Sequence, residues 1–125
     1  MPKFSEKSLK KLNTCDPKLI KLFNEVIKIT DITIICGARD AIEQNKAFLQ
    51  GKSKVNWPKS KHNSIPSKAV DVALYPIHWD KIGEFYFLCG VVKTIAFQMN
   101  IGIEWGGNFK TIQDYCHFEL IHTLN

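Results

Sequence analysis

Two short segments of this 125-residue chain carry side chains that could bind a metal ion and activate water. His62 and Asp71 stand on either side of the segment NSIPSKAV, and Asp114 precedes His117 by three residues in DYCHFEL. Asp71 lies within the apolar run AVDVALY, where a carboxylate is costly unless it is paired, hydrogen-bonded or bound to a metal. A catalytic zinc ion takes three protein ligands, so His62 and Asp71 would need a third. The remaining histidines are His78, His117 and His122.

The D-x-x-H spacing of Asp114 and His117 suits hydrolysis. One residue can hold the metal while the nearby carboxylate removes a proton from a bound water, whose pKa zinc lowers to about 7. Each residue also has an ordinary structural interpretation. His62 could be a loop histidine, Asp71 an edge-strand carboxylate that faces water, and Asp114 a turn residue.

Other titratable residues near these segments are less well placed. His78 follows a proline turn, and His122 faces away from His117 by strand parity, so we interpret both as bystanders. Glu119 shares a strand face with His117, which makes it either a partner of the metal site or an exposed or salt-bridged side chain. Glu104 is left out of the predicted site.

The composition is basic and otherwise that of an ordinary globular domain. The net charge is +5, the pI about 9.0, and 45% of residues are hydrophobic against 23% charged. The charge favours a polyanionic partner such as nucleic acid, an anionic lipid surface or an acidic cell-wall polymer, although a solvated basic surface gives the same numbers. The sequence contains no recognised nucleic-acid-binding helix and no set of aromatic residues on which bases could stack, so we expect no nucleic-acid partner.

Export and redox signals are absent from the sequence. No segment reaches the roughly 18 apolar residues of a membrane span, and the lysine-rich N-terminus lacks the apolar core of a secretory signal. The cysteines contain no C-x-x-C pair, which favours reduced thiols. Cys36 and Cys89 lie in apolar runs and are interpreted as core residues. We therefore expect one domain over 1–125, made without a signal peptide and not inserted in a membrane.

Hydrophobic periodicity predicts an α+β fold, with helices packed on a small antiparallel sheet late in the chain. Asp16, Asp40 and Asp80 are the predicted helix caps, and Gly51 the predicted end of the second helix. Strands are expected over 32–37, 69–75, 101–105 and 116–122, and helices over 16–29, 40–51 and 80–99. The polar segment 52–67 is the longest predicted loop. The expected core stripe of the third helix is Ile82, Phe85, Leu88, Val92, Ile95 and Phe97.

Several motifs together resemble one enzyme family. The segments GARDAIEQNKAFLQGKSK, SKH followed by AVD, EWGG and D-x-x-H-F-E are similar to those of the zinc D-alanyl and L-alanyl peptidases of bacterial cell walls. That family includes vancomycin-resistance D-Ala-D-Ala dipeptidases, D-alanyl carboxypeptidases and phage L-alanyl-D-glutamate endopeptidases, and the phage branch is the most similar. The resemblance runs from about Cys36 to Leu120. It implies the hedgehog/D-Ala-D-Ala peptidase-like form of the α+β fold.

The resemblance also implies roles for individual residues. His62, Asp71 and His117 would bind one zinc ion, Asp114 would be the general base, and Arg39 would stabilise the oxyanion. Ser60, Gln44 and Trp105 occupy motif positions that would shape the substrate cleft. The family commonly has six residues between the histidine and the aspartate, often with a glycine, whereas this chain has eight and no glycine. Apart from the resemblance, Arg39 could form a surface salt bridge to Glu43, and Trp105 could be a core residue.

The expected function is that of a phage or prophage endolysin that cuts the L-Ala–D-Glu bond of peptidoglycan stem peptides. The same chemistry on D-Ala-D-Ala ends, as a dipeptidase or carboxypeptidase, is the nearest alternative, and a non-catalytic zinc-binding module is a remote one. We expect a monomer made in the host cytoplasm that reaches the periplasm after holin-mediated release. No separate wall-binding domain is expected, which suits a Gram-negative host.

Overall fold

Helices and a four-stranded sheet make up the fold of the computed structural model, which describes residues 2–110 and 113–121. The helices are α1 (Glu6–Leu12), α2 (Pro17–Val26), α3 (Ala41–Leu49) and α4 (Ile82–Gln98). The strands are β1 (Ile32–Cys36), β2 (Ala69–Leu74), β3 (Ile103–Trp105) and β4 (His117–Leu120). Short 3-10 turns cover Lys61–Asn63 and Gly106–Asn108. The predicted α+β class is therefore confirmed.

The sheet is antiparallel throughout and has the order β1-β2-β4-β3. Its register places Asp71 of β2 opposite His117 of β4 on one side and opposite Cys36 of β1 on the other. Residues that face each other across neighbouring strands lie about 5 Å apart, so the register alone brings these three side chains together. The middle of the sheet thus carries the candidate site.

The core lies between the sheet and the helices α1, α2 and α4. Phe23 of α2 and Phe118 of β4 are fully buried and meet edge to face, with their ring centroids 5.8 Å apart. Helix α2 begins as predicted, because the Asp16 side chain accepts a hydrogen bond from the Lys18 amide and Pro17 occupies the first turn. It ends at Val26, three residues before the predicted end.

Helix α4 departs from prediction at both ends of its core stripe. Phe85, Leu88, Val92 and Ile95 are buried, but Ile82 is 44% exposed and Phe97 86% exposed. Phe97 follows Ile95 by two positions, or about 200° around the helix axis, so it points away from the sheet. Ile82 is the first residue of the helix. The predicted Asp80 cap is also wrong, since Lys81 is the N-cap and makes no side-chain capping bond.

Helix α1 was not predicted, because its apolar pattern is short. Ser5 caps it by accepting a hydrogen bond from the Ser8 amide at 3.1 Å, and Glu6 lies in the first turn. The buried Ser8 hydroxyl in turn accepts a hydrogen bond from the amide of Ile34 in β1 at 3.0 Å. A polar contact therefore helps to attach this helix to the sheet. Among the described residues, no helix has both the length and the apolarity needed to cross a membrane.

Candidate metal centre and active site

Three side chains converge at the centre of the sheet. The Nε2 atom of His62 lies 3.3 Å from Oδ1 of Asp71, and Nδ1 of His117 lies 3.2 Å from the same oxygen. The two ring nitrogens are 3.3 Å apart. All three residues are buried. The three atoms therefore form a nearly equilateral triangle, and the structure brings together the residues that the sequence had suggested as metal ligands.

The second nitrogen of each imidazole is held by an acceptor. His62 Nδ1 donates to the backbone carbonyl of Gly37 at 2.7 Å, and His117 Nε2 donates to Oε1 of Glu119 at 2.8 Å. Such contacts fix the ring and direct the other nitrogen toward a metal, as in known metal sites. Glu119 also accepts from Nζ of Lys61 at 2.6 Å, so both interpretations of this carboxylate apply.

The triangle fits a tetrahedral zinc ion. Zinc bonds of about 2.0–2.1 Å at tetrahedral angles place neighbouring ligand atoms about 3.3–3.4 Å apart. The observed separations are 3.2 and 3.3 Å. A set of two imidazoles and one carboxylate is also a donor set that catalytic zinc uses. Without a proton or cation between them, two ring nitrogens and a carboxylate at this spacing would repel one another. The residues present therefore fit the zinc that the resemblance implies.

His62 is placed by a short turn that is built from its neighbours. Ser60 caps the turn by accepting a hydrogen bond from the His62 amide at 3.1 Å, and Asn63 Oδ1 accepts from the Ser60 amide at 2.9 Å. The backbone carbonyl of His62 accepts from the Arg39 amide at 2.7 Å. The turn is thereby fixed to the segment that follows β1.

The eight-residue connection from His62 to Asp71 is anchored to the rest of the fold. Its residue Ser67 is fully buried and pairs with the segment before α2. The Ser67 amide donates to the Thr14 carbonyl at 2.9 Å, and the Asp16 amide donates to the Ser67 carbonyl at 2.9 Å. The connection is therefore packed against the N-terminal part of the chain.

The protonation of the three side chains is coupled. Burial opposes the charge on both histidines, but hydrogen bonds to Asp71 outweigh it and raise the pKa of His62 to about 10 and that of His117 to about 9. Burial likewise opposes the charge on Asp71, yet the hydrogen bonds from His117 and His62 hold the pKa of this carboxyl well below its usual range. Without a metal, protons therefore occupy the ring nitrogens at neutral pH.

Zinc uptake is expected to release protons. The raised pKa of each histidine favours its protonated form in the metal-free protein, and a ring nitrogen must lose its proton to become a ligand. We expect zinc binding at pH 7 to release a measurable number of protons, and zinc affinity to fall as the pH is lowered. Calorimetric titrations in buffers of different ionisation enthalpy measure this number. Binding at pH 7 without proton release would contradict the assignment of the two histidines.

Asp114 reaches the centre from the turn before β4. One of its carboxylate oxygens lies within 4.8 Å of the ligand atoms of Asp71 and His117. Its amide donates to the Gly106 carbonyl at 2.9 Å, and its carbonyl accepts from the His117 amide at 3.2 Å. The thiol of Cys116 contacts its Oδ1 at 3.4 Å. Asp114 is thus close to the candidate metal centre without belonging to the triangle.

Gly106 allows this close approach. A Cβ atom at position 106 would overlap the backbone oxygen of Asp114 and would lie 2.9 Å from Cβ of His117. The neighbouring loop is held by Trp105, whose Nε1 donates to the Tyr115 carbonyl at 2.7 Å. The EWGG motif therefore positions the turn that carries Asp114.

We expect Gly106→Ala to destabilise the fold by about 1–3 kcal/mol, because the added methyl group must displace the Asp114 backbone. Peptidase activity should fall further than stability explains, since the displaced segment includes a candidate catalytic group. Gly90→Ala in α4 is the matched control, because a Cβ there meets nothing within 4 Å and alanine favours a helix. Thermal unfolding and activity of both variants test this. Equal behaviour of the two would contradict it.

Arg39 lies beside the triangle and not at a distant surface. Its Nη2 lies 3.5 Å from Oδ2 of Asp71, its Nε donates to the thiol of Cys36 at 3.2 Å, and its Nη1 donates to Oε1 of Gln44 at 3.2 Å. The alternative salt bridge to Glu43 does not form, because that carboxylate accepts from the Asp40 amide in a capping box. Arg39 also lines the cleft that opens at the site.

Two of the expected cleft residues lie behind the cleft wall. Gln44 is fully buried and Trp105 is 2% exposed, so neither can touch a substrate without rearrangement. Gln44 instead connects several segments: its Nε2 donates to Ser53 Oγ at 2.8 Å and to the Val55 carbonyl at 2.6 Å. We therefore interpret both as positioning residues. Ser60 does line the cleft.

Cys36 corrects another expectation. It is half-buried and lies at the site, with its sulfur 3.9 Å from Nδ1 of His62 and within 4.8 Å of the ligand atom of Asp71. Its apolar neighbours in the sequence suggested a core residue, and only the β1–β2 register could have shown otherwise. His78 instead pairs with Glu84, away from the centre, and His122 lies outside the described residues.

The site opens into a cleft of about 460 Å³. His62, His117 and Asp114 lie on its surface, as do Phe109 and Gln113 from the loop before β4. Residues 51–55 and 59–61 also line the cleft, and most of them belong to the segment 52–67 that the sequence predicted as the longest loop. This volume is in the range of clefts that bind small molecules and short peptides.

Known proteins resemble this chain in sequence and in fold. The family described as phage L-alanyl-D-glutamate peptidase matches residues 1–121. The peptidoglycan L-alanyl-D-glutamate endopeptidase CwlK of Bacillus subtilis (strain 168) is 30% identical over 104 residues, which cover 73% of this chain and 61% of that protein. The chain thus spans about three fifths of the length of this relative.

A solved structure is similar across almost the whole chain. The L-Ala D-Glu endopeptidase ChiX of Serratia marcescens has a TM-score of 0.80 and 25% sequence identity, and the match covers 94% of this chain and 89% of that one. With residues 1–121 matched, this chain belongs to the phage L-alanyl-D-glutamate peptidase family.

Proposed function

We propose that the protein is a zinc-dependent endopeptidase that hydrolyses the L-Ala–D-Glu bond of peptidoglycan stem peptides. The observation that carries this proposal is the triangle formed by His62, Asp71 and His117, which fits zinc and opens into a cleft beside Asp114. The choice of bond rests on the family and on the activities by which CwlK and ChiX are named.

In this proposal, His62, Asp71 and His117 hold the ion. When bound, zinc supplies a Lewis acid that lowers the pKa of water to about 7 and polarises the peptide carbonyl. Asp114 then acts as general base toward the attacking water and returns the proton to the leaving amine. Its place near the triangle, but outside it, suits this role.

Arg39 supports the reaction from the other side of Asp71. Its guanidinium lies next to Asp71 Oδ2 and lines the cleft, so it can hold this ligand and also donate to the oxygen that becomes negative during attack. Gln44 fixes the guanidinium by accepting from Nη1. The planar shape of the guanidinium matters here, because its three nitrogens donate in fixed directions to three different acceptors.

Arg39→Lys is expected to retain zinc and to lose about tenfold to a hundredfold in kcat/KM, because an ammonium group cannot replace several directed donors at once. Zinc content and turnover measured on one preparation separate catalysis from metal binding. Lys21→Arg on α2 is the control for a basic exchange away from the cleft. Near wild-type turnover of Arg39→Lys would leave Arg39 with a structural role only.

Digestion of purified peptidoglycan tests the proposed bond. Mass spectrometry of the products should find new D-glutamate amino termini and L-alanine carboxyl ends. Release of D-Ala or D-Ala-D-Ala would instead support the dipeptidase or carboxypeptidase alternative. A chelator should abolish the digestion, and added zinc should restore it.

The remaining proposals concern the setting in which the enzyme acts. We propose that residues 1–125 work as one catalytic domain and as a monomer on the bacterial cell wall. The family name supports a phage origin. Synthesis in the host cytoplasm and holin-mediated release would then bring the enzyme to the periplasm. Lysis of cells that express the protein, with and without a co-expressed holin, tests this route.

A further inference from the structure

The lining of the cleft is strongly basic. Five basic side chains and two acidic ones line the cleft: Arg39, Lys52, Lys54, Lys59 and Lys61 against Asp114 and Glu119. A cleft with one dominant sign of charge raises the local concentration of an oppositely charged ligand. The charge of the cleft lining therefore favours an anionic substrate, and the metal centre by itself gives no reason for such a preference.

Two of the five basic side chains have carboxylate partners within the protein. Arg39 pairs with Asp71, and Lys61 pairs with Glu119 at 2.6 Å. Within residues 2–110 and 113–121, no ion pair includes Lys52, Lys54 or Lys59. These three lysines, which we call the lysine wall, are available to a ligand.

The lysine wall is anchored to the catalytic side of the cleft. The residues on both sides of Lys54 are held by buried Gln44, which donates to Ser53 Oγ and to the Val55 carbonyl. Two residues further on, the Trp57 amide donates to the Asn45 side chain at 2.9 Å. Because Gln44 also accepts from Arg39, one side chain sets the position of the lysine wall relative to the site.

The proposed substrate has an anionic group next to the bond that is cut. D-Glutamate has two carboxyl groups, and a peptide chain that continues through it uses only one. The other remains a carboxylate within a few bonds of the scissile amide unless it is amidated. A carboxylate at this position would form ion pairs with lysine ammonium groups, whereas a carboxamide offers them one neutral acceptor oxygen and no opposite charge.

We propose that the lysine wall recognises the unused carboxyl group of D-glutamate, so that the enzyme selects stem peptides with this group free over those in which it is amidated. The inference rests on the proposed function and specifies its substrate. It assigns Lys54 the central position, because the backbone on both sides of it is fixed by Gln44.

A matched pair of synthetic peptides tests this selectivity. Both contain the L-Ala–D-Glu bond within a longer stem, and they differ only in a free or amidated carboxyl group. The zinc-loaded wild-type protein is expected to cleave the free form roughly five- to fiftyfold better in kcat/KM. This ratio should decrease as ionic strength rises, since partly exposed charges are screened.

Variants identify the groups responsible. Replacement of Lys52, Lys54 and Lys59 by glutamine should bring the ratio of kcat/KM for the free and amidated peptides to within about twofold of unity. The amidated peptide should still be cleaved by this variant. Replacement of the same three lysines by arginine should preserve the preference, because the positive charge is retained. Lys21→Gln on the exposed side of α2 is the matched control for loss of charge. Zinc content and thermal unfolding of each variant verify that the fold and metal centre are intact.

The outcomes are distinct. Equal cleavage of the two peptides by the wild-type protein overturns the inference and leaves the proposed function in place. A preference that survives the glutamine replacements also overturns it, because the carboxylate is then recognised elsewhere. Failure to cleave either peptide contradicts the proposed function itself, and with it the inference.

Discussion

Replacement of Asp114 by asparagine should leave the zinc content unchanged and lower peptidoglycan turnover by about 10²- to 10⁴-fold. Asparagine keeps the shape of the side chain but cannot accept the proton of the attacking water. The zinc content should persist because the triangle of His62, Asp71 and His117 does not include Asp114. The fold should also persist, since the contacts of Asp114 with Gly106 and His117 are made by its backbone.

Zinc analysis and turnover must be measured on one preparation. Asp80→Asn is the control for a carboxylate-to-amide exchange, because Asp80 is exposed and caps no helix. Loss of zinc from Asp114→Asn would make Asp114 a ligand and call the role of Asp71 into question. Full activity would place the base elsewhere, with Glu119 or Glu104 as the next residues to replace.

Asp71→Asn is expected to lose both zinc and activity. This carboxylate is buried and contacts His62, His117 and Arg39. Its replacement removes one of the three expected ligands and leaves the half-buried Arg39 guanidinium without its ion-pair partner. Loss of a charged hydrogen-bond partner costs about 1–3 kcal/mol, so the metal-free variant should also unfold at a lower temperature.

The stoichiometry of zinc and the thermal unfolding of Asp71→Asn, each with and without chelator, provide the test. In the wild-type protein the chelator should lower the unfolding temperature, because bound metal stabilises the folded state. In the variant the chelator should make little difference. A variant that binds one zinc ion per chain with wild-type affinity would show that Asp71 is not a ligand.

The features that were predicted best from the sequence are those with short-range signals. The capping box of Asp40 and Glu43, the glycine with a φ of 74° at position 51, and the strand around Asp71 all have short-range signals. The three expected metal-binding residues came from short motifs in distant parts of the chain, taken together through the family resemblance. The register of the sheet then determines how closely they approach, and register is not a local property.

The features that the sequence did not predict depend on tertiary contacts. Helix α1 has few apolar residues and is attached partly through Ser8. Phe97 fits a hydrophobic pattern, yet the angle around α4 places it in solvent. Cys36 follows an apolar run and becomes part of the site only because β1 pairs with β2. Gln44 is similar, since one glutamine in a helical segment gives no sign that it will be fully buried.

The pairing of β2 with β4 also has a consequence for the order of folding. Asp71 and His117 are 46 residues apart in the chain, and the loop between them contains all of α4. Closing a loop of this length costs conformational entropy before the contacts between the two strands can stabilise it. Contacts between residues distant in sequence therefore tend to form after local structure. The triangle of His62, Asp71 and His117 can form only once this closure has occurred. We therefore expect a metal ion held there to stabilise the assembled chain and not to nucleate its folding, in contrast to small domains that fold only around their metal.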